Sequence, residues 1–484
     1  MSSIKKNYLY NLAYQMLNFA SAFLLTPYLS RTLGATSSGI YSYTFSTANF
    51  FWLFAMLGVQ NYGNRAIAKS KASGDKRQIS NCFWNIYFQQ LLVAFVIVVL
   101  YMGYFCFFPV DDRPIVMIQM FYVLSGLTDI NWFFFGMEQF KVTVTRNSII
   151  KLSNLLLVVL FVKTSDDLWK YTAIMALGTL LSTLVLWPYV GRYVVFCKPA
   201  PKEMWRHFKS SLVLFVPVIA ISIYHVMDKI MIGRILHDKT EVGYYDYAEK
   251  VMEIPKAFIN SLGTVMLPKM STLVQQGDKE KCNSYIETSM HVILILSFGI
   301  SFGLAGIAQN FAPLFFGKKY IPCAVLIMWL APIGVIKSWS NVIRTQYLIP
   351  NDYDKIYVMS VIWGAVVNVI ANLLLIPAVG TLGAVFGTLL AEFAVMLYQT
   401  LKVRKELDIR KYIKDNYAFG IFGLVMFGIV YYIGTLYHTS VVVMGIQIIT
   451  GMIIYIVLSV VYMRIKKDEI LDQISHKIKR RLKP

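Results

Sequence analysis

An all-α, polytopic membrane fold is what this sequence predicts, and three observations predict it. The 484 residues are 57% hydrophobic and only 15% charged, where a soluble domain is about a quarter charged. The mean hydropathy is +0.56. The apolar residues come in long uninterrupted runs rather than in short alternating segments, so spanning helices are favoured over the strands of a membrane barrel. A soluble enzyme, a disordered chain, a nucleic-acid-binding domain and a small disulfide scaffold are excluded on the same grounds. The formal charge of +20 then reads as an excess of cytoplasmic Lys and Arg, not as a nucleic-acid footprint. The five cysteines, Cys82, Cys106, Cys197, Cys282 and Cys323, show no metal-ligand spacing and read as free thiols.

A spanning helix needs about 20 mostly apolar residues. About fourteen runs qualify: 10–33, 39–62, 83–108, 114–136, 144–163 and 168–192, then 211–236, 243–268, 285–309, 322–347, 356–376 and 381–402, and last 416–436 and 441–463. No small-residue cleavage site follows the first run, so it is expected to stay as a helix. With a cytoplasmic N-terminus, 33 of the 46 Lys and Arg residues fall in inside segments and eight in outside ones. That bias alternates loop by loop and places both termini in the cytoplasm.

The chain also repeats itself at an offset near 207 residues. Trp132 is followed by Gln139 and Phe140, and Trp339 by Gln346 and Tyr347, at the same spacing. Asn154 opens an Asn-Leu-Leu-Leu run that recurs at Asn372, and Gly178 opens a Gly-Thr-Leu-Leu run that recurs at Gly387. Arg31 with Gly39 and Tyr41 is matched by Arg234 with Gly243 and Tyr245. Helices 1–6 thus correspond to helices 7–12. An even number of spans per repeat makes the repeats parallel. The expected organisation is an N-terminal six-helix lobe over 1–200, a C-terminal six-helix lobe over 201–405, and two further helices with a basic tail over 406–484. The two lobes are expected to enclose a central cavity and to work by alternating access.

Several of these residues carry a resemblance. The run from Pro27 through Arg31 to Ala35 with Gly39 and Tyr41, the run Asp228-Lys229 to Gly233 followed by Val242 to Tyr245, and Trp132 with Gly136 and Gln139 together resemble Wzx-type polysaccharide and O-antigen flippases. These belong to the multidrug/oligosaccharidyl-lipid/polysaccharide exporter superfamily, and the pattern covers essentially the whole chain. The resemblance implies an activity: moving an undecaprenyl-diphosphate-linked oligosaccharide from the cytoplasmic to the outer leaflet of the bacterial cell membrane, for surface polysaccharide such as capsule, exopolysaccharide or O-antigen. Glycosyltransferases and a polysaccharide polymerase are the protein partners implied.

The charges argue toward the same destination independently. Ionisable groups at bilayer depth are costly and mark functional surfaces. Lys151, Lys229, Lys250, Lys256 and Lys337 lie within the runs, with Arg31 and Arg234 at matching outer helix ends. These seven are the candidate contacts for a diphosphate, whose charge basic groups in a low-dielectric site would stabilise. The acids Asp129, Asp228, Glu249, Glu253 and Glu392, with His225, are candidates for coupling or for balancing that charge. His225 and Asp228 share a helical face, as a proton-exchanging pair or a pair that merely orients its helix. On helix 8, Asp246, Glu249, Glu253, Lys256, Asn260 and Thr264 follow at steps of three and four. One helix face therefore carries a polar stripe about 27 Å long. It is expected to line the cavity, although Glu253 with Lys256 would also neutralise each other as a plain helical pair.

No phosphate-binding loop, zinc signature or Cys/His cluster occurs. No metal, cofactor, catalytic residue or nucleic-acid partner is therefore expected, and the partners expected are the lipid-linked oligosaccharide and membrane lipids. Two rivals stay open: a cation-coupled multidrug exporter of the same superfamily, which would favour carboxylates in its cavity, and a membrane-embedded sugar polymerase or ligase, which would need a long outer loop.

Overall fold

The computed structural model describes Leu17, Ala20, Ser21 and residues 23–468. It leaves aside the side chains of Tyr224, His225, Ile254, Phe258, Ser261, Leu262, Thr264 and Val265. Among these residues every regular element is a helix and none is a strand. Among the described residues ten helices are long and apolar enough to cross a membrane by length and composition. The chain is a multi-pass membrane protein. Side chains such as Leu92, Phe95, Val99, Ile449, Ile453 and Ile456 are about half exposed, the outward apolar surface that lipid, and not water, accommodates.

By internal contact the chain divides into two compact units, Met1–Gly243 and Tyr244–Pro484. In the first, α1 covers residues 23–32, followed by α2 (Gly34–Met56), α3 (Val59–Ala72), α4 (Lys76–Phe107), α5 (Arg113–Thr128), α6 (Asn131–Gly136), α7 (Phe140–Phe161), α8 (Leu168–Leu184), α9 (Trp187–Val190) and α10 (Pro201–Ile235). Helix α11 (Lys239–Gln275) begins in the first unit and runs through the second. The second continues with α12 (Lys279–Phe315), α13 (Ile321–Leu330), α14 (Ile333–Val342), α15 (Asp354–Val379), α16 (Thr381–Val403), α17 (Ile409–Leu436) and α18 (Val441–Lys466). The units part some forty residues beyond the lobe boundary at 200/201 that the repeat suggests, because α10 packs on α2, α3 and α4.

Local chemistry sets the helix ends. Asp75 caps α4 by accepting from the Arg77 amide at 2.8 Å, and Ser440 caps α18 by accepting from Val443 at 3.2 Å, each satisfying a backbone donor that the first turn leaves open. Four of the long apolar runs are interrupted: the second, the fourth, the sixth at Val185–Leu186 and the tenth at Ala331–Pro332. The second breaks at Leu57 and Gly58, both with positive φ. A side chain at Gly58 would come within 2.6 Å of the Ser211 carbonyl of α10, so only glycine turns the chain there. The fourth breaks at Asp129–Ile130 between α5 and α6. Apolar content alone carries no trace of such interruptions. The short pieces after them pack together: Trp132 of α6 covers Gly63 of α3, where a Cβ would lie 2.5 Å from its ring. Phe83, Phe133, Phe134 and Ile67 complete that core.

The repeat read from the sequence has a structural counterpart inside each unit. Asn154 of α7 lies on Gly178 of α8, and Asn372 of α15 lies on Gly387 of α16. A Cβ on either glycine would approach the asparagine Oδ1 to 2.4 and 2.0 Å respectively. The matched glycines Gly39 and Gly243 also meet: a Cβ on Gly243 would lie 2.1 Å from the Ala35 carbonyl and 3.3 Å from the Gly39 nitrogen. The start of α11 thus crosses the start of α2 backbone to backbone, within the first unit.

Candidate functional site

The second unit gathers the charged residues. Gly334 of α14 has no side chain, so Ser301 of α12 and Pro255 of α11 lie close against it, 2.5 and 3.9 Å from where a Cβ would be. This close approach brings the residues one turn further along α14, and the one after Pro255 on α11, into a common region. Lys337 of α14 reaches across to α16, where its Nζ is 2.7 Å from Glu392 Oε1. Both side chains are shielded, at 18% and 5% exposure. On α11, Lys256 Nζ donates to Glu253 Oε1 at 2.7 Å, and Glu249 and Glu392 also act on it electrostatically. One turn nearer the N-terminus of α11, Lys250 pairs with buried Asp246 at 2.6 Å and lies 4.9 Å from the Tyr247 ring centroid. Asn260 accepts from Asn341 of α14 at 3.3 Å.

The polar stripe predicted for helix 8 is therefore a stripe of partnered groups on α11. Its last member, Thr264, has its side chain outside the described residues. The charge balance is informative. Asp246, Glu249, Glu253 and Glu392 face Lys250, Lys256 and Lys337, so this set carries one more carboxylate than ammonium. The sequence reading expected a positively biased site; in the second unit the lysines are present but already held by acids.

In the first unit the predicted residues occupy four places. Arg31 is exposed at the end of α1, and Lys151 is half-buried on α7. On α10, Asp228 is 1% exposed and Lys229 is half-buried. Arg234 is exposed and its Nη2 donates to the Tyr104 hydroxyl at 3.4 Å. His225 belongs to the side chains outside the described residues. Asp129 is buried in the α5–α6 break, where one oxygen accepts from the Asn131 amide at 2.8 Å and from Asn131 Nδ2 at 2.7 Å.

Sequence reasoning missed Asp129's distant counter-charge. Arg146 lies inside α7, which starts at Phe140, and is 6% exposed. Its Nη2 donates to Asn131 Oδ1 at 2.8 Å and its Nη1 to the Ser182 carbonyl at 2.7 Å. An Arg–Asn–Asp relay thus braces the break from α7 and α8. The signal was present, since Arg146 lies two residues inside the apolar run 144–163. A second missed residue is Lys239, at 11% exposure. Its Nζ lies 3.6 Å from the Tyr43 ring centroid and 3.6 Å from Asp111. The cation stands over an aromatic face with a carboxylate also close to it.

Among the described residues no group of three His, Cys, Asp or Glu side chains is placed to hold a metal ion. What the geometry offers is a set of closely spaced ion pairs on α11, α14 and α16.

Comparison with known proteins decides the family. A family of polysaccharide biosynthesis proteins matches residues 4–274, more than half of the chain. The chain belongs to that family. Within the polysaccharide biosynthesis proteins it is 22% identical over 411 residues to a protein of Escherichia coli (strain K12) provisionally named an O-antigen transporter, covering 83% of this chain and 97% of that one. It is 23% identical over 162 residues to the lipid II flippase MurJ of Bacillus subtilis (strain 168), covering 33% of this chain and 30% of that one. It is 26% identical over 158 residues to the lipopolysaccharide biosynthesis protein WzxC of Escherichia coli (strain K12), covering 31% and 30%. The Wzx-type resemblance read from the sequence holds. Among solved structures, the lipid II flippase MurJ in an inward closed conformation superimposes with a TM-score of 0.72 at 16% identity, over 94% of this chain and 99% of that one. An inward-facing multidrug resistance MATE family transporter superimposes with a TM-score of 0.62 at 14% identity, over 83% and 96%. This polysaccharide biosynthesis protein therefore has the fold that flippases and multidrug transporters share.

Proposed function

We propose that the protein is a flippase for lipid-linked oligosaccharide, carrying an undecaprenyl-diphosphate-linked repeat unit from the cytoplasmic to the outer leaflet of a bacterial inner membrane with both of its own termini in the cytoplasm. The observation that carries the reading is the likeness to the O-antigen transporter relative, which spans 97% of that protein. The shielded lysines supply the chemistry. Lys256 on α11 and Lys337 in the apolar segment Lys318–Leu348 are held in ion pairs, and the diphosphate of a lipid-linked sugar takes the place of the carboxylates while its polyprenyl tail stays in lipid. Arg31, Lys151, Lys229, Arg234 and Lys250 extend the basic set along the route, and Asp129, Asp228, Glu249 and His225 balance it. The duplicated helices provide two matched parts, the arrangement by which alternating access operates. The activity is transport and not catalysis; glycosyltransferases supply the substrate and a polymerase consumes it.

The test is translocation of a labelled lipid-linked oligosaccharide in vesicles containing the purified protein. Lys256→Ala combined with Lys337→Ala lowers the rate at least about tenfold, which corresponds to about 1.4 kcal/mol of lost stabilisation. Unchanged translocation in the double variant overturns the reading. A second reading, a cation-coupled multidrug exporter, is favoured by one observation: in the set on α11, α14 and α16 the four carboxylates Asp246, Glu249, Glu253 and Glu392 outnumber the three lysines Lys250, Lys256 and Lys337. Retention of a cationic dye in cells lacking the protein, with no defect in surface polysaccharide, would establish it in place of the first.

A further inference from the structure

Glu392 is the single charged residue in the body of α16; the only other charge in Thr381–Val403 is Lys402 in its last turn. Its carboxylate is buried, ion-paired with Lys337 at 2.7 Å, and acts on Lys256 as well. An anion that must be held by both lysines would have to sit where this carboxylate sits. A buried ion pair contributes little net stability, because desolvation offsets the Coulomb gain, and an apolar pair of the same volume would serve packing as well. The pair therefore calls for a reason other than folding.

The surroundings supply one. The protein is bathed in phospholipids, and an uncovered lysine inside a membrane helix would attract their phosphodiester groups, each with one negative charge. Glu392 occupies Lys337 with an equal charge, already desolvated and in place. A phospholipid phosphate gains nothing by exchanging with it. A diphosphate brings more charge and more acceptor oxygens, forms several charge-assisted hydrogen bonds at once, and displaces the carboxylate. Such discrimination works by penalising the wrong ligand.

On the reading that this site receives a lipid diphosphate, we propose that Glu392 is a built-in competitor. It makes Lys337 selective for lipid diphosphates over singly charged lipid phosphates, and so sets specificity at the headgroup instead of stabilising the fold. Glu392 touches the lysine that touches the ligand, and is in that sense a specificity-determining residue.

The test uses the full-length protein in nanodiscs, with farnesyl diphosphate as the probe. Binding is measured in discs of phosphatidylcholine and in discs containing phosphatidylglycerol. The wild-type protein binds the probe with similar affinity in both. Glu392→Gln binds it more tightly in phosphatidylcholine and loses about tenfold when phosphatidylglycerol is present, the change expected for one exchangeable charge pair. Lys337→Gln combined with Glu392→Gln, which leaves no buried unpaired charge, binds weakly in both and is insensitive to the anionic lipid. A Glu392→Gln protein whose affinity is unchanged, or no more sensitive to phosphatidylglycerol than the wild type, overturns the inference while leaving the flippase reading intact. Failure of the wild type to bind farnesyl diphosphate at all overturns both.

Discussion

Asn372 rests its side chain on Gly387, so closely that even a methyl group on the glycine would come within 2.0 Å of the amide oxygen. The contact is repeated by Asn154 and Gly178 in the other unit. Both asparagines lie on membrane-length helices, where a polar group needs a partner and small residues let backbones approach.

Gly387→Ala should therefore force Asn372 out of place and cost about 1–3 kcal/mol, as overpacking of a tight core does. The combination with Asn372→Ala should recover part of that loss. A double-mutant cycle on thermal melting in detergent measures the coupling, and additive effects would show that the contact is not tight.

The Lys337–Glu392 pair makes an asymmetric prediction. Lys337→Ala leaves a buried carboxylate uncompensated and should cost about 3–5 kcal/mol, whereas removing both partners should cost much less. Denaturation midpoints of the single and double variants decide it. Equal losses would mean that the pair is solvated.

Arg146 braces the α5–α6 break through Asn131 and the Ser182 carbonyl. Arg146→Ala should destabilise by about 1–3 kcal/mol, since it leaves the part-buried Asn131 Oδ1 and Ser182 carbonyl without their donor. Arg146→Lys should recover less than half, because an ammonium cannot serve Asn131 and Ser182 with the same planar fork. Melting temperatures of the three proteins test the order.

A pH prediction attaches to Asp112, in the loop between α4 and α5. Burial pushes its carboxyl above the usual value of 3.8, opposed by nearby Lys239 and reinforced by Asp111. The folded state thus holds this proton more tightly than the unfolded chain does. Stability from this group is present at low pH and is lost as pH rises through the window just above 3.8. Asp112 also has φ of 53°, a conformation that asparagine adopts readily. Asp112→Asn should raise the melting temperature at neutral pH, with the gain shrinking as pH falls below about 4. A gain independent of pH would assign the effect to backbone conformation alone.

Much of the fold was legible because lipid imposes a simple rule on composition: long apolar runs become helices. The repeat was legible too, since Asn154, Gly178, Asn372 and Gly387 stand out by being polar or small at fixed places in such runs. The breaks at Leu57–Gly58 and Asp129–Ile130 were not, because a kinked span is as apolar as a straight one and the turn depends on neighbours far along the chain. The candidate site was half legible. Helical spacing placed Asp246, Glu249, Glu253 and Lys256 on one face and flagged Lys337 and Glu392 as costly. It could not show that α14 and α16 set those two side by side, since that pairing is tertiary. Arg146 was not legible as a brace for a related reason: its partners Asn131 and the Ser182 carbonyl lie on other helices, and that contact too is tertiary.

The duplicated Trp-to-Gln spacing reaches further than ancestry. After Trp132 the chain leaves its helix, turns through Glu138 with φ of 57°, and re-enters at α7. After Trp339 it stays helical and widens into a π-type turn over Ile343–Leu348, burying Gln346 to 1% exposure. Two copies of one ancestral stretch have thus kept their lettering and abandoned a common path. Swapping the segment from one half into the other should fail, and inferring the role of a residue from its twin is safe only where the backbones still agree.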